Sequence, residues 1–124
     1  MKFRIKDKRF CDYLDYFQIG KTLTPGKTLT TENNGITYEV KFERMTPLKY
    51  IRSCAEMMGI SLERLISSRN DDSLKKLYPN INQDNYGIIY IDNFNKMQDG
   101  LHRAIILMMK QVPNINVLVI RKIS

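Results

Sequence analysis

The sequence predicts one α+β domain, a mixed sheet with flanking helices and a buried helix near its C-terminal end. Three observations carry this. Residues 36–43 alternate apolar and polar side chains, residues 46–79 hold helical segments in succession, and the tail reads as strand, turn, helix and strand. A chain of 124 residues is the length of one domain. With 43% hydrophobic and 27% charged residues it has enough apolar surface to build a core.

Residues 1–35 read as an N-terminal arm ahead of a core at 36–121. The arm ends in "GKTLTPGKTLTTENNG", where KTLT occurs twice. Its glycines suggest a phosphate loop, but Gly20 and Gly26 enclose five residues, one more than a Walker A loop holds, so a hairpin or surface loop is expected. Asn33-Asn34-Gly35 is a turn, because asparagine and glycine tolerate the positive φ of tight hairpins. Ile36, Tyr38, Val40 and Phe42 then form the apolar side of a strand, with the segment around Leu29 as its pairing partner.

Thr46-Pro47 supplies an N-cap and a favoured first helical residue, and Leu48, Ile51, Cys54, Ala55 and Met58 trace an apolar helical face up to Gly59. Ser61 caps a second helix with Leu62, Leu65 and Ile66. Asp71, Asp72 or Ser73 caps a third with Leu74 and Leu77, closed by Pro79. Tyr86–Ile91 is apolar on both faces, as a central strand requires. After a turn at Asp92-Asn93, "KMQDG" leads into a helix from Gly100 to about Val112, and Pro113-Asn114 separates it from a last strand at Ile115–Ile120. Met57, Met58, Met108 and Met109 are expected as core filler.

No apolar run approaches the roughly 20 residues of a membrane span, and the basic start "MKFRIKDKRF" leads into no apolar signal region. Cys11 and Cys54 lack metal-ligand spacing, so reduced thiols, no metal site of their own and a cytoplasmic location are expected. The net charge of +7 favours polyanions as partners, although the basic residues are scattered along the chain.

The candidate site opens the last helix. With Asp99 as N-cap, the first turn is Gly100, Leu101, His102 and Arg103, while Leu101, Ala104, Ile105, Leu107, Met108 and Val112 make the helix body apolar around most of its circumference. Cations at a helix N-terminus oppose its dipole by about 0.3–1 kcal/mol. Placed there, the lone histidine and an arginine make sense beside a visiting anion, where free amides, imidazole and guanidinium form a phosphate cradle and Gly100 admits close approach. Asp99 has three open roles: occupying those amides, orienting His102, or helping to hold a magnesium ion that bridges to phosphates. An ordinary alternative is a plain cap followed by two exposed cations. Arg69, leaving a helix end in "SSRNDD", is a further phosphate or substrate-anion candidate, or a surface partner of Asp71 or Asp72.

"QDGLHRAIILMMK" followed by "NINVLVI", with Asp99, Gly100, His102, Arg103 and Ala104 in order, resembles the ParB/sulfiredoxin-like superfamily, and "FERMTPLKYIRSCAEMMGIS" resembles its strand-to-helix segment. The resemblance covers residues 36–121. It implies a nucleotide, ATP, ADP or CTP with Mg2+, bound through Gly100, Leu101, His102 and Arg103. The D-G-x-H-R form is nearest to kinase-like members, which implies a phosphotransferase acting on a small hydroxyl compound, with Asp99 and His102 as its catalytic residues. Glu39, Glu43, Asp71, Asp72 and Asp92 are other available acids. Nucleic-acid binding, nuclease activity and non-catalytic protein recognition are the alternatives within the same superfamily. Sulfiredoxins carry a reactive cysteine where this sequence has Leu101, so sulfinic-acid repair is not expected. No helix-turn-helix domain follows before Ser124, so a complete partition protein is not expected either.

Overall fold

The computed structural model describes residues 3–4, 22–23, 28–33, 36–69, 74, 76, 78–87, 89–93 and 96–123. The fold is α+β. Phe3–Arg4 (β1) and Thr22–Leu23 (β2) form a short antiparallel pair. The main sheet contains Thr28–Asn33 (β3), Ile36–Met45 (β4), Ile89–Asp92 (β5), Met97–Asp99 (β6) and Ile115–Lys122 (β7), in the order β3-β4-β7-β5-β6. Only β5 and β7 run parallel, so the sheet is mixed. Three helices are bounded among the described residues: Pro47–Met58 (α1), Leu62–Arg69 (α2) and Leu101–Met109 (α3). None of them is long and apolar enough to cross a membrane.

The β3–β4 register pairs Asn33 with Ile36 and Leu29 with Val40, as the turn sequence anticipates. β7 lies between the two hairpins and pairs Met45 with Ile115 on one side and Ile89 with Val117 on the other. Its odd-numbered residues Ile115, Val117 and Val119 pack with Ile89 and Ile91 against Ile51, Ala55, Leu65, Leu101 and Ile105 of the helices. Val40, Tyr90, Leu118 and Ile120 alternate with that set and are buried as well, so the centre of the sheet is shielded on both faces.

α1 begins as its sequence directs: Thr46 accepts a hydrogen bond from the Lys49 amide at 3.1 Å, and Gly59 closes the helix at φ 70°. Its buried face differs from the expected one. Pro47, Tyr50, Ile51, Cys54 and Ala55 are buried, whereas Leu48 and Met58 are 36% and 37% exposed. The helix is rotated toward Tyr50 because the phenol finds acceptors in the sheet. In α2, Ser61 accepts from the Arg64 amide and Leu65 is buried. Of the expected third helix, Leu74 and Lys76 are helical and Leu74 is buried, while Asp71, Asp72, Ser73 and Leu77 lie outside the described residues.

The tail departs from expectation at three places. β5 starts at Ile89 instead of Tyr86, because Gly87 at φ 77° turns the chain; the Tyr86 hydroxyl meanwhile accepts from the Asn116 amide at 2.8 Å. "MQD" forms β6, a strand that polar composition concealed, and Lys96 at φ 53° turns into it. α3 ends at Met109 rather than near Val112: Gln111 adopts φ 60°, and the Val112 amide reaches back to the Leu107 carbonyl at 3.0 Å.

Candidate functional site

β6 and α3 meet at Gly100. The pairing of Asp99 with Tyr90 keeps Asp99 extended, so the left-handed step that starts the helix falls on Gly100, at φ 104°. Only glycine fits there: a Cβ would stand 2.7 Å from Ile89 Cγ1 and 3.1 Å from two further Ile89 carbons. Gly100, not Asp99, is therefore the N-cap, and no side chain caps the helix. The Ala104 amide closes the first turn on the Gly100 carbonyl at 2.8 Å.

The Asp99 carboxylate points instead toward Arg103, with Nη2 at 3.3 Å from Oδ2. Arg103 also donates from Nη1 to the Tyr86 carbonyl at 2.6 Å. Its side chain is 17% exposed and that of Asp99 47%, so the guanidinium is a half-sheltered brace between the start of α3 and the segment entering β5. The brace also bears on Gly87, where a Cβ would lie 3.0 Å from Arg103 Nη1. Leu101 is 2% exposed and belongs to the core. His102 stands half-buried beside Arg103 in the same turn.

Tyr50 is the supporting residue that sequence reasoning missed. Its hydroxyl, fully buried, lies 3.1 Å from both the Tyr90 and Asp99 carbonyl oxygens and 3.4 Å from Gln98 Oε1. One phenolic proton serves this group of acceptors and fixes the first turn of α1 to the strands that carry the motif. Burial drives the phenol well above its ordinary pKa, helped by Cys54 and the Asp99 charge and opposed by Arg103. The signal available in sequence was the spacing alone: Tyr50 lies four residues before Cys54 and so shares its side of the helix.

Arg69 sits half-buried at the end of α2, where its charge is felt by the Cys54 thiol. Burial pushes that thiol up to about 11, with the hydrogen bond to Tyr50 and the Arg69 charge working against it. Asp71 and Asp72, the alternative partners of Arg69, lie outside the described residues. Glu39 and Glu43 are engaged by Arg121 across β4 and β7, and the Arg121 hydrogen bond holds the Glu43 carboxyl below its ordinary value. Asp92 is buried at the end of β5. Among the described residues, no group of three or more His, Cys, Asp or Glu side chains is arranged to hold a metal ion.

The turn thus gathers an uncapped helix start, an imidazole, a braced guanidinium and a half-exposed carboxylate. No family model matches the chain, and no curated protein or solved structure matches it either.

Proposed function

We propose that this chain is a small ParB/sulfiredoxin-like domain that binds a nucleotide or another phosphorylated ligand at Asp99–Arg103 and acts as a phosphotransferase on a small hydroxyl compound. The observation that carries the reading is the opening of α3 on Gly100 without a capping side chain. First-turn amides of a helix have no partner within the helix, and together with the dipole they favour a phosphate at that position. His102, half-buried, adds an imidazole from the same turn.

In this reading the amides of Leu101 and His102, with the His102 imidazole, hold the negative charge of the phosphoryl group. The Asp99 carboxylate, nearly half exposed, takes the proton of an acceptor hydroxyl in the same reading. Mg2+ would enter with the phosphates of ATP, ADP or CTP, using their oxygens and one carboxylate, which is how that ion is commonly held. Arg69, felt by Cys54, has no part in this scheme.

Calorimetric titration of ATP, ADP and CTP with Mg2+ tests the reading. The expected outcome is binding of at least one of them that His102→Ala weakens by about tenfold, the scale of one charge-assisted hydrogen bond. Absence of binding to all three, or binding indifferent to His102→Ala, overturns it. The net charge of +7 favours nucleic acid as a second reading. That reading requires affinity for DNA or RNA that falls steeply with salt.

A further inference from the structure

We propose that the groove at the C-terminal end of α3 is a binding site for a small hydrophobic monocarboxylate, a compound that joins an apolar ring system to a single carboxylate. The site is independent of the Asp99–Arg103 turn, which lies at the other end of the same nine-residue helix, about 13 Å away along its axis. Tyr78, Pro79, Ile106, Met109 and Lys110 line a cavity of about 330 Å³ there. Ile106, 2% exposed, forms its floor, and the Met109 thioether, 38% exposed, forms one wall. Pockets that hold small molecules are concave, mostly apolar and about 300–1,000 Å³ in volume, with a few placed polar groups. This one stands at the lower limit and suits a ligand of one or two rings.

The placed polar group is Lys110. Its ammonium donates to the Ile81 carbonyl at 2.7 Å and to the Pro79 carbonyl at 3.1 Å, which staples the turn after Tyr78 to the end of α3. The Ile81 amide closes that turn on the Tyr78 carbonyl at 3.3 Å, and the Pro79 ring fixes its own φ, so the groove is formed in advance of any ligand. Both partners of the ammonium are uncharged oxygens. The positive charge is therefore held in place without being neutralised, and of its three donors one remains for a ligand. The carbonyls that give a helix end its negative charge are occupied here: those of Ile106, Leu107 and Met108 accept from the amides of Lys110, Val112 and Gln111. A held cation beside an apolar cleft is complementary to a ligand with an apolar body and one anionic end. A single remaining donor matches a carboxylate, whereas a phosphate dianion asks for more donors than the site supplies.

The experiment is a titration of the full chain with 1-naphthylacetate and with its uncharged isostere 1-naphthylacetamide, followed through the amide NMR signals of Ile106, Met109 and Lys110, with acetate as a head-group control. Both naphthyl probes are expected to shift these signals to saturation, the acid with about threefold or more higher affinity than the amide, the scale of one exposed ion pair. Acetate is expected not to saturate them. Lys110→Gln should bring the two naphthyl affinities together, Lys110→Arg should keep them apart, and Met109→Glu, which sets a like charge on the wall, should weaken the acid more than the amide. Folding of each variant is read from the same spectra. Added salt must narrow the preference for the acid in the wild-type chain, a reading that needs no variant. Failure of both naphthyl probes to shift the three signals overturns the proposal, as does equal affinity for acid and amide. A preference that survives Lys110→Gln or high salt overturns it too, and saturation by acetate alone reduces the groove to a plain anion contact and does the same.

Discussion

The Tyr50 hydroxyl lies 3.1 Å from the Asp99 carbonyl oxygen and thereby ties the first turn of α1 to the residue that precedes the Gly100 turn. The same hydroxyl is 3.1 Å from the Tyr90 carbonyl, directly across the β5–β6 ladder from Asp99. A fully buried phenol at this junction makes the helix and the hairpin one mechanical unit.

Tyr50→Phe keeps the ring and removes the proton donor, leaving sheltered carbonyl oxygens short of a partner. Loss of about 1–3 kcal/mol in unfolding free energy is expected, the cost of stranding a buried polar group. Urea denaturation measures it as a lower midpoint at unchanged slope. A midpoint equal to that of the wild type would mean that the phenol contributes only its ring.

Gly100→Ala and Gly59→Ala form a matched pair. Both glycines have positive φ, but a Cβ at Gly59 meets nothing within 4 Å whereas one at Gly100 collides with Ile89. Gly59→Ala is expected to cost about 1 kcal/mol for the left-handed backbone alone. Gly100→Ala adds an overpacking cost of about 1–3 kcal/mol. Equal thermal destabilisation of the two variants would contradict the close approach of Ile89 to the turn.

Stability is expected to fall between pH 9 and 11 in a way that depends on Cys54. Burial pushes the folded thiol up to about 11 from an ordinary value of 9.0, so above pH 9 the unfolded chain loses this proton first and is favoured as pH rises. The contribution is fully present below pH 9 and is lost through the folded value, a change on the order of 2 kcal/mol. Denaturation of the wild type and Cys54→Ala at several pH values isolates it, because the variant lacks this part of the slope. Identical slopes would show that the thiol is not shielded.

Much of this architecture was legible in residue order because local signals and tertiary packing agree. Thr46-Pro47 and Gly59 bracket α1 through a hydroxyl acceptor, a preset φ and a left-handed close, all of which are properties of single residues. The pairing of Asn33 with Ile36 agrees with the turn read at Asn33-Asn34-Gly35, of which Asn34 and Gly35 lie outside the described residues. Met97–Asp99 was illegible: three half-buried residues of mixed polarity have no period, and they are a strand only because β5 pairs with them. The displacement of the N-cap from Asp99 to Gly100 follows from that pairing. Asp99, Gly100, His102 and Arg103 adjoin one another where β6 runs into α3, as their sequence order requires, but the guanidinium's engagement by Tyr86 depends on a segment that no spacing rule connects to the helix. Tyr50 stayed hidden because the expected apolar face ran through Leu48 and Met58 instead, and its hydrogen bonds are visible only once the acceptors are in place.

The position of β7 between two hairpins also bears on how the chain reaches this shape. Met45 must find Ile115, and Ile89 must find Val117, before either hairpin has a neighbour in the sheet. Contacts this distant in sequence are entropically expensive to close and slow the search for the native state. Until β7 docks, β4 and β5 present bare ladder edges that invite pairing with other chains. Translation stalled ahead of Ile115 would strand the nascent polypeptide in that sticky form, however well its helices had already wound.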